Sequence, residues 1–270
     1  MERRSNSTPA PAMISHPFHQ EHKLRLVTVA VDAEKLDCDG CKEPIGPGCP
    51  RYTCKDCNLF LHMSCALAPP VMPEHPLLKD YSFVLLHEPP PVSGCACMRR
   101  ICDACGVVPR GFVYHCFDRN LDLHPCCADL PVHFTQGGYA FDLCGSGGSR
   151  VPRKCSFCVE KAMSQDDHKE KWTYHVHGDG ESDHVHVACV KKMMLECLAD
   201  SHGHIHDGGN NDMHLITASS LKRALKKCAR TGSAAAKSFL QFVFSVLVSV
   251  FLGDPTGMAV ALAGVVFTSF

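Results

Sequence analysis

The residues with chemistry in this chain are its cysteines and histidines, and their spacing is regular. One series runs His22, Cys38, Cys41, Cys54, Cys57, His62, Cys65, His75. Two Cys-x2-Cys pairs are followed by His-x2-Cys, with an outlying histidine on each side. Eight thiolate and imidazole groups make two sets of four, the number and type of ligand that tetrahedral Zn2+ takes. The spacing returns twice: Cys102-x2-Cys105 precedes His124-x2-Cys127, and Cys155-x2-Cys158 precedes His186-x2-Cys189. A cysteine can serve as a small buried hydrophobe, but that role does not explain a spacing used three times.

The elements that must position these ligands are small. Around the first series, Leu24, Leu26, Val27, Val29 and Val31 give the apolar pattern of a strand, and Leu59, Phe60 and Leu61 lead into His62. The segment Pro44-Ile45-Gly46-Pro47-Gly48 reads as a loop between ligand pairs. So thin a core does not offset the conformational entropy of about 60 residues. A structural zinc supplies roughly 10 kcal/mol or more. The chain has 270 residues, 19 Cys and 18 His. Disulfides need no histidine and no Cys-x2-Cys pairing, so metal is favoured over a secreted disulfide framework. Residues 1–13 are polar and lack the apolar stretch of a signal peptide, which points to a reducing compartment. A formal net charge of −1 gives no argument for nucleic acid as a partner.

The strings His16-Pro17-Phe18-His19, Cys38-Asp39-Gly40-Cys41, Tyr52-Thr53-Cys54-Lys55-Asp56-Cys57 and Leu61-His62-Met63-Ser64-Cys65 resemble the plant divergent C1 (DC1) domain. That domain is a Cys/His-rich relative of the diacylglycerol-binding zinc module of protein kinase C. Cys102-Asp103-Ala104-Cys105, Tyr114-His115-Cys116 and Leu123-His124-Pro125-Cys126-Cys127 continue the resemblance. It implies small zinc-stabilised, β-rich modules with short helices, three in tandem. They would span 16–75, 76–135 and 136–200 after a disordered 1–15, followed by a His/Gly-rich loop at 201–218 and an α-helical hydrophobic tail at 219–270.

The family fold implies interleaved sites. His22, Cys54, Cys57 and His75 would hold one zinc, with His16 and His19 as alternatives to His22. Cys38, Cys41, His62 and Cys65 would hold a second. Cys102, Cys105, His124 and Cys127 would hold a third, and Cys155, Cys158, His186 and Cys189 a fourth, giving about four Zn2+ per chain. The outer site of the second module lacks a pair, because Arg119 stands where the partner of Cys116 would be. It would have to draw on His87, Cys116, Cys126 or His133. In the third module Gly178 and Glu181 fall where the second cysteine pair is expected.

Other features carry weaker signals. Cys95-x-Cys97 lies in a Pro/Gly-rich linker, Ser164–Glu170 reads as an exposed loop, and His202, His204 and His206 alternate in a polar stretch. Residues 219–237 hold six basic and no acidic residues. Two apolar runs follow, Phe239–Leu252 and Met258–Phe270, separated by Gly253–Gly257. Each is shorter than the roughly 20 residues of a spanning helix. The expected arrangement is a membrane-associated hairpin on the cytoplasmic face; packing on the zinc modules is the alternative, and a nuclear location stays open.

No phosphate-binding loop or nucleophilic triad appears outside the ligand sets. Sites with four protein ligands are closed, hence structural. The expectation is a non-enzymatic zinc-binding adaptor, with a part in intracellular signalling or stress response implied by the resemblance alone. The alternatives are a thiol-redox protein, since Cys-x2-Cys is also a dithiol motif, and a lipid-binding module. The loop Lys42–Thr53 lacks the Gln-Gly of the lipid-binding relatives, which makes diacylglycerol an unexpected ligand.

Overall fold

The structure is a computed structural model that describes residues 10–27, 36–45, 49–92, 99–145, 155, 172–178 and 181–200, with Phe242, Val243, Val246, Leu247 and Val250. Three four-stranded antiparallel sheets follow one another along the chain. The first joins β1 (Met13–His16), β2 (His19–Val27), β5 (Arg51–Cys54) and β6 (Leu59–His62) in that order. A two-residue ribbon, β3 (Leu36–Asp37) and β4 (Pro44–Ile45), carries the first cysteine knuckle. The second sheet joins β7 (Val71–Met72), β8 (Phe83–Leu86), β9 (Val113–Cys116) and β10 (Leu121–Leu123). The third joins β11 (His133–Gln136), β12 (Tyr139–Cys144), β13 (Thr173–Gly178) and β14 (Glu181–His186). Each sheet runs into a helix: α1 (Met63–Ala66), α2 (Pro125–Ala128) and α3 (Val187–Asp200).

The register shows equivalent positions. Leu26 pairs with Tyr52 and Tyr52 with Leu61. Leu85, Tyr114 and Leu123 repeat that row, and so do Leu143, Tyr174 and Val185. All three tyrosines are buried. Each hydroxyl donates to the carbonyl of a proline in the segment before its sheet: Tyr52 to Pro11, Tyr114 to Pro69 and Tyr174 to Pro131, at 2.6–2.9 Å. A buried hydroxyl needs such a partner, and each bond contributes about 1 kcal/mol net.

These pairings revise three expectations. Residues 10–15 are not a disordered leader, because β1 and the Tyr52 bond to Pro11 fix them. β7 falls inside the 16–75 span yet belongs to the second sheet, because the chain leaves α1 through Pro69-Pro70 and immediately pairs with β8. Pro44 and Ile45 form a short strand instead of a loop.

Neighbouring units interlock. The amide of Phe112 donates to Gly40 O at 2.8 Å, and that of Trp172 donates to Ala104 O at 3.2 Å. In both cases the residue before a central strand caps the preceding unit's Cys-x2-Cys knuckle. Any Cβ at Gly111 would overlap Gly40 O, so the first contact requires glycine.

In the first apolar run, the described residues Phe242, Val243, Val246, Leu247 and Val250 are helical. Val243, Val246 and Leu247 are buried, and Phe242 packs against Tyr139 and over Gly137 of the third sheet. No helix among the described residues is long and apolar enough to cross a membrane. Cys95, Cys97, residues 164–170, the 201–218 histidines, the basic stretch and the second apolar run lie outside the described residues.

Candidate metal centres

The inner site of the first unit shows how the fold gathers ligands. The knuckle Cys38-Asp39-Gly40-Cys41 closes on itself through Lys42 N to Cys38 O, with Lys42 at φ 62°. Asp39 then bonds β6 twice, accepting from Phe60 N through Oδ2 and donating its own amide to Phe60 O, both at 2.8 Å. This places the knuckle beside His62, the last residue of β6. Cys65 follows three residues on in α1, a spacing that puts both side chains on one face. The Cys41 Sγ to His62 Nδ1 distance is 3.3 Å, and His62 Nε2–H donates to Pro44 O at 3.1 Å. That outer bond fixes the imidazole tautomer, as second-shell partners do. All four ligand atoms lie within 4.8 Å of one another. Edges of about 3.5 Å are what a tetrahedral zinc with sulfur and nitrogen ligands has.

The second unit repeats this construction. Asp103 Oδ2 accepts from Asp122 N at 2.7 Å, and Cys102, Cys105, His124 and Cys127 converge, all buried. Cys105 Sγ is 3.5 Å from His124 Nδ1. In the third unit Cys155, His186 and Cys189 converge, with His186 N donating to Cys155 Sγ at 3.3 Å. Cys158 lies outside the described residues.

The sulfurs of each set share protons: Cys41 and Cys65 are raised first by their bonds with Cys38, and Cys127 by its bond with Cys102, while other members are lowered. Burial pushes His62 down, but the Cys38 and Cys41 sulfurs together hold it well above its ordinary value. Cys105 is held well below the usual thiol range, first by its bond with Cys102. Cys155 is pulled down to about 3, first by Cys189. The thiolate is the form that binds metal.

The outer site of the first unit departs from the expected set. His22, Cys54 and Cys57 come together, with Cys57 Sγ 3.3 Å from His22 Nδ1, and the fourth member is His19. His75 is not there. It is buried against Trp172, ring centroids 4.9 Å apart, and its Nδ1 accepts from Leu77 N. The reason is register. His75 lies ten residues before Leu85 as His16 lies ten before Leu26, so His75 opens the second unit. His16 behaves alike: it is buried, accepts from Phe18 N and stacks near Phe112. The shared His-Pro dipeptide at 16–17 and 75–76 was the available signal.

Counting from the same rows, His19, His22, Cys54 and Cys57 become Leu78, Tyr81, Cys116 and Arg119 in the second unit. There the Arg119 guanidinium sits over the Tyr81 ring at 4.9 Å. A cation–π contact takes the place of the Cys57–His22 pairing. His87, Cys116, Cys126 and His133 do not converge: His87 stacks on Phe112, Cys126 lies by Lys191, and His133 bonds Asp142. In the third unit the β13–β14 hairpin is two residues longer. Counting from Tyr174, the place of Cys54 is taken by buried Val176, not Gly178. Tyr139 stands in the position of His22 and packs beside Gly178.

One supporting group escaped the sequence reading. Lys191 of α3 is completely buried, with its ammonium 2.8 Å from Glu43 Oε2 of the first unit and 3.6 Å from Cys126 Sγ of the second. Burial lowers Lys191, yet Cys126, Cys127 and Cys105 with Glu43 hold it well above its ordinary value. Glu43 Oε1 also sits 3.3 Å from His124 Nε2. A carboxylate from one unit and an ammonium from another thus support the ligands of a third.

Residues 17–66 match a C1 domain. The match is consistent with a Cys/His-rich domain of the DC1 type in this stretch. Its span takes in His19 and His22 with all six first-unit cysteine and histidine ligands downstream, and it ends with α1, nine residues short of His75. No curated protein and no solved structure matches the chain. The C1 match and the Cys/His clusters together suggest zinc binding.

Proposed function

We propose that the protein is a non-enzymatic zinc-binding adaptor made of three tandem C1-like units holding about four Zn2+. The observation that carries this is the convergence of each described Cys-x2-Cys pair with an imidazole into a closed set. The shared strand order and tyrosine bonds support reading the second and third units as C1-like. Four protein ligands leave no open position for substrate, so the metal's task is to hold the fold. The surfaces so held are for protein partners, in a signalling or stress-response role that the C1 resemblance implies. Neither nucleic acid nor diacylglycerol is expected to bind.

The thiol-redox alternative uses the same cysteines differently. A reductase needs a dithiol free to attack, whereas Cys38, Cys41, Cys102 and Cys105 are buried with further ligands. Native thiol titration separates the two. The adaptor reading expects the ligand cysteines to react only after a chelator is added, with no disulfide-reductase turnover. Rapid reaction of one Cys-x2-Cys pair without chelator, together with turnover, would support the redox reading.

A further inference from the structure

The geometry points to a fifth, exchangeable metal site of a different chemistry, on the outer face of the third sheet. Cross-strand register aligns His133, Asp142, His175 and His184 in one row, one from each strand. His177 lies two residues along β13 from His175, on the same face. Asp142, His175 and His177 bring three ligand atoms within 4.8 Å of one another. Asp142 Oδ2 is 3.5 Å from His177 Nδ1, while Asp142 Oδ1 is 2.6 Å from His133 Nδ1. His175 stacks on His184, whose Nδ1 is buried without a hydrogen-bond partner.

This face differs in chemistry from its counterparts. The equivalent row in the first sheet is Met13, Arg25, Thr53 and Phe60. In the second it is Val71, Val84, His115 and Asp122. There the carboxylate is already met, with Asp122 Oδ2 2.9 Å from the Arg100 guanidinium. Among the described residues no lysine or arginine pairs with Asp142; its neighbours are imidazoles. The set is therefore not a relic of the C1 outer site, whose positions fall at Tyr139 and Val176. The longer hairpin is what places His177 on the sheet.

Two imidazoles and one carboxylate, with positions left for water, suit a divalent first-row transition ion. Half-exposed ligands and an open coordination sphere make it exchangeable, unlike the closed Cys/His sites. His133 would act as the outer partner that orients Asp142, and His184 as a reserve ligand.

The test uses the full-length, zinc-loaded chain titrated with Cu2+ and followed by calorimetry and electron paramagnetic resonance. The expected result is one added equivalent with nitrogen hyperfine structure and no thiolate charge-transfer band. His175→Ala with His177→Ala should abolish it while zinc content stays unchanged, and His133→Ala should weaken it about tenfold. Replacing His202, His204 and His206 by Ala should leave it intact. An equivalent that survives the His175/His177 variant, or vanishes with the 202–206 histidines, would overturn the assignment. So would the absence of any added equivalent.

Discussion

The β5–β6 hairpin of the first unit and the β9–β10 hairpin of the second share one backbone and differ in what crosses their tips. Both pair with the same register, and both turn through an asparagine at positive φ, Asn58 at 50° and Asn120 at 54°. In the first, Cys54 and Cys57 meet His19 and His22 from β2. In the second, Arg119 lies over Tyr81, and buried Cys116 joins no metal cluster among the described residues. The inner Cys/His site is therefore what the fold requires, and the outer position is a replaceable clasp. A zinc clasp contributes on the order of 10 kcal/mol when it couples to folding. A cation–π clasp contributes about 1 kcal/mol.

Substitutions at the two hairpin tips separate the zinc clasp from the cation–π clasp. Cys57→Ser should remove one zinc equivalent and unfold the first unit, whereas Cys116→Ser should leave the zinc content unchanged; elemental analysis of both variants checks this, and equal zinc loss would contradict the clasp assignment. Lys191→Met should destabilise the chain by about 3–5 kcal/mol, because it leaves buried Glu43 without its cation. Denaturant melts with Glu43→Gln/Lys191→Met as the paired variant would test whether the charges act together. His75→Ala should cost about 1–3 kcal/mol through lost packing on Trp172 and retain every zinc. Loss of an equivalent there would restore His75 to the ligand set. Arg119→Ala should cost about 1 kcal/mol or less. Conversely, Leu78→His, Tyr81→His and Arg119→Cys together should install the missing ligands around Cys116 and raise the zinc content by one.

What could be read from the sequence follows chain locality. The two halves of each inner site were legible because Cys-x2-Cys and His-x2-Cys each belong to one turn; that the halves join was implied by the DC1 resemblance, and bonds such as those of Asp39 and Asp103 bring them together in the first two units. His75 was misplaced because an outlying histidine has no local partner to declare its unit. Only the register of β8 reveals that it matches His16. Gly178 was misaligned with Cys54 because two extra residues in the β13–β14 hairpin are invisible when counting back from His186. Lys191, Glu43 and His124 come from three different units, and no periodicity connects them. The Asp142, His175 and His177 face likewise depends on strand pairing across a gap of some thirty residues. The tail pattern suggested apolar helix, but the side on which Phe242 rests was not encoded in its spacing.

The proposed adaptor depends on closed Cys/His zinc sites to hold these units together. Its most direct test is the zinc content of the purified full-length chain, measured beside a native thiol count before and after chelation. The account predicts about four zinc ions per chain, reduced cysteines throughout, and loss of the β-sheet signal when the metal is stripped. One zinc or none, with most cysteines in disulfides and the fold intact in chelator, would contradict it.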